Sequence, residues 1–227
     1  MASNIEQPKN KLIVIEGACD GIGKSTQFKR LCDHLIEDGE EVVNHHFPSY
    51  GTMHGAPVES YLKGELGDKN RLSPEFIHAL YAYDRKMAWE NILGPKFDEG
   101  KQIVLDRYTT SSLIYQAANI TDEQKKKDFI KYVIDLEYGA LGIKEPDNVI
   151  FLHAPFDLVT EIRNARKEND GIANDIHERD IEFMKRVYDN AMFLAEYLNW
   201  DAVRCNDGDK LRSIEEIHDD VYKLVRK

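Results

Sequence analysis

Cysteine pairs, long apolar runs and excess positive charge are all missing from this chain of 227 residues. It has three cysteines and no C-x-x-C pair, which argues against a disulfide-based scaffold and against a zinc site. No apolar stretch approaches the roughly 20 residues that span a bilayer, so we expect no membrane partner. The formal net charge of −11 disfavours binding to nucleic acid polymers.

Residues 1–10, MASNIEQPKN, form a polar N-terminal leader. They lack the apolar centre of a signal peptide, and Ala2 stands where myristoylation requires glycine. We therefore expect a cytoplasmic protein. No repeat, low-complexity tract or Pro/Gly-rich linker divides the chain, and its length suits one domain. We expect residues 1–227 to form that single domain.

Segment 11–26, KLIVIEGACDGIGKST, has the pattern of a phosphate-binding loop. An apolar strand runs into a glycine-rich turn, and a helical pattern begins at Thr26. Glycines let backbone N–H groups point into one concavity, and the next helix presents its positive end to a phosphate. Lys24 is placed to reach the terminal phosphates and Ser25 to hold Mg²⁺. The predicted ligands of a nucleoside triphosphate are Gly17, Asp20, Gly21, Gly23, Lys24, Ser25 and Thr26.

The loop departs in one respect from the pattern G-x-x-x-x-G-K-[ST]. Five residues, not four, separate Gly17 from Gly23, and Ala18 stands where the first glycine is expected. We interpret the difference as one extra residue just before Asp20. For Asp20 itself, followed by glycine, the residues alone leave open a simple role in a turn.

Five apolar runs have the length of strands, with helical patterns between them. They cover residues 12–16, 41–47, 102–106, 148–153 and 200–205. This alternation predicts an α/β fold with a five-stranded, mostly parallel sheet flanked by helices. With the phosphate loop after its first strand, we expect the P-loop NTPase type. Ligands bind beyond the carboxyl ends of the strands in such a sheet. We therefore expect the phosphate loop and the pair Asp106 and Arg107 to meet in one cleft.

Helix starts and one long loop complete the predicted organisation. The capping signals are Ser73 followed by proline, Thr121 with Gln124, and Ser213 with Glu216. A helical pattern covers 176–198. The polar stretch before it, 166–174, predicts a loop, and we expect a mobile flap at about 164–175.

Seven segments together resemble the thymidylate kinase family, over about residues 11–225. They are IEGACDGIGKSTQ, HFPSYGT, VESYLKGELG, ALYAYDR, DRYTTSSLIYQ, EPDNVIFL and DIHERDIEFMKRV. Each is weak alone, but DRYTTSSLIYQ with FPSYGT and YLKGELG separates this family from most other phosphate-loop kinases. The resemblance implies transfer of the γ-phosphoryl group of ATP, with Mg²⁺, to thymidine monophosphate (dTMP). It also implies a homodimer that pairs through helices beside the sheet.

The resemblance implies that Lys24, Asp106 and Arg107 serve the reacting phosphates. Asp106 follows an apolar run, which places it at the carboxyl end of a central strand, and with Ser25 it would hold Mg²⁺. Arg107 would grip two oxygens of the acceptor phosphate. Asp20 would face the 3′-hydroxyl of the acceptor sugar. From the residues alone, Asp106 and Arg107 could instead be a structural ion pair at the sheet edge.

The resemblance also implies a site for the acceptor nucleotide. Its members are Asp20, Phe47, Tyr50, Tyr81, Arg85, Arg107, Ser112 and Tyr115. Tyr81 would stack on thymine, Arg85 would donate to a thymine carbonyl, and Ser112 would contact the base edge. Tyr115 would fill the space beside the sugar C2′ and so disfavour ribose. Without the family, Tyr81 could be a core aromatic, Arg85 a surface charge paired with Asp84, and Tyr115 a helix-packing residue.

The chain lacks two arginines that many relatives carry. Many relatives have an arginine at the position of Ser49 or Tyr50 that binds the acceptor phosphate. We therefore expect weaker binding of the monophosphate here, with Arg107 as the cation that neutralises its charge. The phosphate loop has no arginine either, so the flap must supply the cation that stabilises the transferred phosphoryl group. The candidates are Arg163, Arg166 and Lys167.

Two other functions remain open at this point. One is a related kinase that acts on dUMP or a deoxynucleoside, against which the thymine-site residues argue. The other is a nucleotide-binding regulatory protein without catalysis, against which the retained phosphoryl-transfer residues argue. We expect no metal site at Asp175, His177 and Glu178, because a second histidine at the spacing of H-E-x-x-H is missing.

Overall fold

The computed structural model describes residues 10–19, 21–68, 71–170 and 180–227, with 165–170 described by their backbone only. The strands of the main sheet are β1 Leu12–Gly17, β2 Val42–His46, β3 Gln102–Asp106, β4 Asn148–His153 and β5 Asp201–Arg204. All neighbouring pairs are parallel, in the order β2-β3-β1-β4-β5. Each of the five predicted strands is confirmed to within one residue at either end. A short antiparallel hairpin follows, with β6 Asn206–Asp207 and β7 Lys210–Leu211.

Helices connect and cover the strands. They are α1 Lys24–Glu37, α2 Ala56–Leu62, α3 Pro74–Ala88, α4 Gly94–Asp98, α5 Thr109–Gln116, α6 Glu123–Ile134, α7 Phe156–Asp170, α8 Ile181–Tyr197 and α9 Ile214–Val225. A π-helical turn, Trp89–Leu93, follows α3, and a second one, Asp135–Ala140, follows α6. None of the described helices is long and apolar enough to cross a membrane.

The two faces of the sheet bury two separate cores. Ile13 and Ile15 of β1 pack into the larger core, against α1, α5, α8 and α9. Leu12 and Val14 pack into the smaller one, where the end of α3 and its π-helical turn lie. Successive residues of a strand point to opposite faces, and a strand buried on both faces reads as a continuous apolar run. This is why β1 lacks the alternation of a half-exposed strand.

Two of the three predicted caps are confirmed. They are Ser73 on α3 and the Ser213–Glu216 capping box on α9. The prediction for Thr121 was wrong, because Asp122 is the N-cap of α6 and accepts a hydrogen bond from Lys125 N at 2.8 Å. A carboxylate is a strong acceptor and interacts favourably with the positive end of the helix.

Three predicted boundaries differ in the structure. α1 begins at Lys24, not Thr26, because Gly23 turns the chain with a φ of 93° and acts as the N-cap. α7 continues to Asp170, so residues 166–170 of the predicted loop are helical, as their content of good helix formers allows. α8 begins after its N-cap Asp180. The remainder of the predicted flap and the start of the predicted helix at 176 lie outside the described residues.

Candidate active site

The phosphate loop joins β1 to α1 and turns twice through left-handed backbone. Gly21 has a φ of 97° and Gly23 a φ of 93°, a region in which only glycine is unstrained. No described side chain caps α1, and its first turn carries no acidic residue. The first N–H groups of α1 are therefore available to an anion, and the positive end of the helix favours one. Asp20, the predicted sugar ligand, lies outside the described residues.

The start of the phosphate loop stays hydrogen-bonded to the sheet. Ala18, which occupies the position of the first glycine in the usual pattern, is buried and its N–H donates to Leu152 O of β4 at 3.1 Å. Pairing with β4 thus continues one residue past Gly17. A Cβ on Gly17 would lie 3.1 Å from the Cγ2 of Ile22. A side chain at Gly17 would therefore crowd Ile22 within the loop.

Asp106 lies at the carboxyl end of β3 and is the centre of a cluster of polar groups. Its Oδ1 is 3.0 Å from Lys24 Nζ, and its Oδ2 accepts a hydrogen bond from Ser25 Oγ at 3.3 Å. His46 Nδ1 is also 3.3 Å from Oδ2. Burial disfavours the charge, but the hydrogen bond from His46 and the ammonium of Lys24 outweigh burial and hold the pKa of Asp106 well below its usual range.

An ionised Asp106 beside Ser25 fits a divalent cation. Mg²⁺ takes oxygen ligands, and it commonly binds through one or two protein groups together with substrate phosphates and water. A carboxylate and a hydroxyl that meet beside an open helix N-terminus are such a pair. His46 is the residue here that the sequence analysis did not select, and only its position opposite the end of β3 reveals it.

Arg107 follows β3 in a left-handed conformation, with a φ of 69°. This conformation is uncommon for a residue with a side chain, and such strain is often retained at functional sites. The carbon at the centre of its guanidinium group is 5.6 Å from the centre of the Tyr115 ring. Its Nη1 is 3.9 Å from Glu16 Oε1.

Glu16 is a second site residue that the sequence analysis missed. It is fully buried in β1 and accepts hydrogen bonds from Thr110 Oγ1 at 2.8 Å and Ser111 Oγ at 2.6 Å, at the start of α5. The carboxylate thus links β1, Arg107 and α5. The sequence signal for Glu16 is an acidic residue within an otherwise apolar strand.

Arg85 lies on α3 and is buried, with 1% of its surface exposed. Its Nε donates to Glu137 Oε2 at 2.7 Å and its Nη2 to Glu137 Oε1 at 2.6 Å. The same Nη2 donates to Ser112 Oγ at 2.8 Å. The alternative of a surface charge paired with Asp84 does not hold, because Asp84 instead accepts from Ser49 N at 2.8 Å.

Three tyrosine rings lie in the region of Arg85 and Arg107. The centre of the Tyr81 ring is 5.9 Å from the guanidinium carbon of Arg85, and Tyr61 of α2 approaches Tyr81 edge-on with 6.4 Å between ring centres. Tyr115 lies on α5 beside Arg107. An arginine with a flat aromatic ring beside it suits a planar, polar-edged base.

A cavity of about 270 Å³ opens between the phosphate loop and these rings. Nine of the predicted site residues line it: Lys24, Ser25, Phe47, Tyr50, Tyr81, Arg85, Arg107, Ser112 and Tyr115. It therefore joins a phosphate-binding end to an aromatic end. Ser49 does not line it, since its side chain is buried and its Oγ is 2.9 Å from His45 Nε2.

Arg163 lies on α7 and packs against the phosphate loop. A Cβ on Gly21 would be 3.2 Å from the Cβ of Arg163, so the two residues are in direct contact. Arg163 is 7% exposed, and its Nε has no hydrogen-bond partner in the described part of the chain. Arg166 lies one turn further along α7, and its side chain lies outside the description.

Comparisons with known proteins give a consistent result. The profile of the family described as thymidylate kinase matches residues 15–221. A probable thymidylate kinase of Thermococcus onnurineus is 33% identical over 219 residues, which cover 94% of this chain and 96% of that protein. The thymidylate kinase of Plasmodium falciparum is 30% identical over 224 residues, covering 98% and 92%.

A solved structure is similar in fold. The thymidylate kinase of Candida albicans superposes with a TM-score of 0.71 at 20% identity, and the match covers 96% of this chain and 92% of that one.

Proposed function

This chain belongs to the thymidylate kinase family, and we propose that it transfers the γ-phosphoryl group of ATP to dTMP, giving dTDP and ADP. The observation that carries the proposal is the single cavity that joins Lys24 and Ser25 to the aromatic end around Arg85. A nucleoside monophosphate with its base at the aromatic end would have its phosphate next to the phosphate loop. Phosphoryl transfer depends on such positioning and on charge neutralisation more than on covalent chemistry.

For the phosphoryl donor, we propose ATP at the phosphate loop, with Mg²⁺. The backbone N–H groups from Gly21 to Thr26 and the uncapped start of α1 would hold the phosphates. Ser25 and Asp106 would ligate the metal, which would neutralise charge on the phosphates. The contact of Lys24 with Asp106 keeps the Lys24 ammonium beside the proposed metal ligand and the start of α1, where the phosphates would bind.

For the acceptor, we propose dTMP with its base at the aromatic end of the cavity. Tyr81 would stack on thymine, Arg85 would donate to a carbonyl oxygen, and Tyr115 would lie beside the sugar. Arg107 would bind the 5′-phosphate, with a further hydrogen bond from Tyr50. Phe47, which lines the same cavity, would pack against the nucleotide.

For the transition state, we propose Arg163 as the cation that stabilises the transferred phosphoryl group, with Arg166 as the second candidate. The contact of Arg163 with Gly21 and the unbonded Nε support this choice. Donors aimed at the charge that develops during transfer contribute several kcal/mol. Arg163→Ala should therefore reduce kcat with dTMP by more than 100-fold, with little change in the KM for dTMP.

The proposed function is tested by ADP release from ATP and Mg²⁺ with dTMP, dUMP, UMP and dCMP as separate acceptors. We expect turnover mainly with dTMP, and its loss in Lys24→Ala. Turnover mainly with dUMP would favour the related kinase. ATP binding without turnover on any acceptor would contradict the enzymatic function and favour a regulatory protein.

We also propose a homodimer that forms through helices beside the sheet. Phe76 and Tyr83 lie two turns apart on α3 and are both nearly half exposed, and Tyr132 of α6 is 39% exposed. Large exposed apolar side chains that share a face are typical of interaction surfaces. Light scattering after size exclusion should give twice the chain mass, and Phe76→Asp should give the mass of one chain. A wild-type monomer would contradict the proposal.

For the compartment, we propose the cytoplasm. Cys19, Cys32 and Cys205 are buried and form no disulfide, which is typical of proteins that fold in reducing surroundings. Fluorescence microscopy of the tagged protein in its native cell would test this location.

A further inference from the structure

Glu137 fixes Arg85 more completely than any other described residue does. The carboxylate is fully buried in the π-helical turn after α6 and accepts from both Nε and Nη2 of Arg85, at 2.7 and 2.6 Å. Thr109 Oγ1 donates to its Oε2 at 2.9 Å. Burial works against the charge of Arg85, but Glu137 keeps the pKa of the guanidinium above its ordinary value.

The donors of Arg85 can be counted. A guanidinium has five N–H groups. The Nε hydrogen goes to Glu137, and the two Nη2 hydrogens go to Glu137 and Ser112. One Nη1 hydrogen is directed at Tyr108 O, at a long 3.4 Å. A single N–H group, on Nη1, is then left for a ligand in the cavity.

This arrangement is poorly explained by stability alone. A buried ion pair costs much desolvation energy, and apolar residues of similar volume often replace such pairs without loss of stability. What Glu137 does provide is geometry, because a two-point contact between a carboxylate and a guanidinium fixes the plane of both groups. π-Helical turns like the one that carries Glu137 also occur frequently at functional sites.

We propose that Glu137 is the positioning residue for base selection, and that it does so by holding Arg85 with one N–H donor directed at the base. A pyrimidine with a carbonyl oxygen at C4 accepts this hydrogen bond. A pyrimidine with an amino group at C4 presents a donor to a donor, and both are left buried without a partner. The inference rests on the proposed function and names what its base site distinguishes, namely dTMP from dCMP.

The test is Glu137→Gln, which keeps the size of the side chain but removes the charge and one of the two acceptors. We expect kcat/KM for dTMP to fall by roughly 10- to 100-fold, as for the loss of a charged hydrogen bond. The loss should lie mainly in the KM for dTMP, with the KM for ATP unchanged. The ratio of kcat/KM for dTMP to that for dCMP should fall by about the same factor. The rise in unfolding temperature on addition of dTMP should also become smaller.

Asn190→Ala is the matched control for a general loss of buried polar contacts. Asn190 of α8 is 2% exposed, and its amide donates to Leu113 O at 2.9 Å and Ile114 O at 2.8 Å, with no contact to Arg85. This variant should unfold at a lower temperature and keep the wild-type selectivity for dTMP over dCMP. A parallel change of selectivity in Asn190→Ala would reduce the role of Glu137 to structural support and overturn the inference.

A second variant covers the case in which Glu137→Gln does not fold. Thr109→Val removes one donor to Glu137 and leaves Arg85 untouched, so we expect a smaller loss of selectivity, of a few-fold. If the folded variants keep the wild-type selectivity, the inference about Glu137 is overturned. The proposed function still stands in that case, provided that the wild-type protein phosphorylates dTMP. A wild-type protein that does not phosphorylate dTMP would instead contradict the proposed function itself.

Discussion

Ser49 and Tyr50 are neighbours with opposite surroundings. The backbone N–H of Ser49 donates to Asp84 at 2.8 Å, and its side chain is 4% exposed. A Cβ on Gly55 would lie only 2.1 Å from Ser49 O, so the chain is tightly packed there. Tyr50 lines the cavity and is 56% exposed. The arginine that many relatives carry in this stretch is therefore compatible with position 50 only.

An arginine introduced at each position should have different effects. Ser49→Arg should lower the free energy of unfolding by about 2 kcal/mol or more, because it buries a charge without a partner. Tyr50→Arg should leave stability within about 0.5 kcal/mol and lower the KM for dTMP, since it adds a cation near the proposed phosphate position. Urea unfolding and steady-state kinetics measure the two effects. A lower KM in a stable Ser49→Arg protein would contradict this reading of the loop.

Tyr115 is the residue that should separate deoxyribose from ribose. Its ring lines the cavity beside Arg107. Tyr115→Leu should raise kcat/KM for UMP relative to dUMP by roughly tenfold, because space opens for a 2′-hydroxyl. Tyr197→Leu, at the exposed end of α8, is the control and should leave the ratio unchanged. An unchanged ratio in Tyr115→Leu would assign the ring to helix packing alone.

At the scale of elements, the helices differ in how the N–H groups of their first turn are satisfied. α1 starts without a side-chain cap, and its N–H groups are left to the proposed phosphate ligand. α3, α6, α8 and α9 start with a side chain that accepts from the third residue of the helix. α2, α4 and α5 also start without a side-chain cap. What distinguishes α1 is that the phosphate loop leads directly into its first turn, so its free N–H groups lie where an anion would bind.

The corrected start of α6 can be measured directly. Asp122→Ala should lower the free energy of unfolding by about 1 kcal/mol, because it removes the acceptor for Lys125 N. Thr121→Ala should change it by less than about 0.5 kcal/mol. Chemical denaturation of both variants, compared with wild type, gives the two values. The reverse order would restore Thr121 as the cap.

At the scale of the whole molecule, burial lowers the pKa of several histidines. Those affected are His45, His78, His153 and His218. For His78 the pKa falls to about 3, first because of burial and second because of the positive charge of Arg85. Glu137 lies 3.6 Å from His78 but is already neutralised by Arg85, so it does not offset burial.

These histidines make the protein less stable in acid. Burial makes each of them harder to protonate in the folded chain than in the unfolded chain, where a histidine takes up a proton below about pH 6.5. The free energy of unfolding is therefore highest above about pH 6.5 and declines as the pH falls. For His78 the decline continues down to about pH 3, where the folded chain also takes up the proton. Urea unfolding between pH 7.5 and 4.5 should show this decline. His78→Leu should reduce its slope by up to about 1.4 kcal/mol per pH unit, and an unchanged slope would assign the decline to other groups.

The sequence by itself determined the sheet and the nucleotide-binding character of the chain. Strand positions follow from apolar runs, and the phosphate loop follows from glycine spacing and Lys24, because these depend on residues close together in the chain. The family resemblance added Arg85, Ser112 and Tyr115, and the structure places them around one cavity.

Only the tertiary structure decided what surrounds those residues. Glu137 meets Arg85 across 52 positions of chain, and Glu16 meets α5 across more than 90, so no local pattern announces either contact. The same holds for Ser49, whose buried position depends on Asp84 of a later helix. Burial and charge pairing depend on which distant segments the fold brings together. They can therefore be read from the tertiary structure but not from a local sequence pattern.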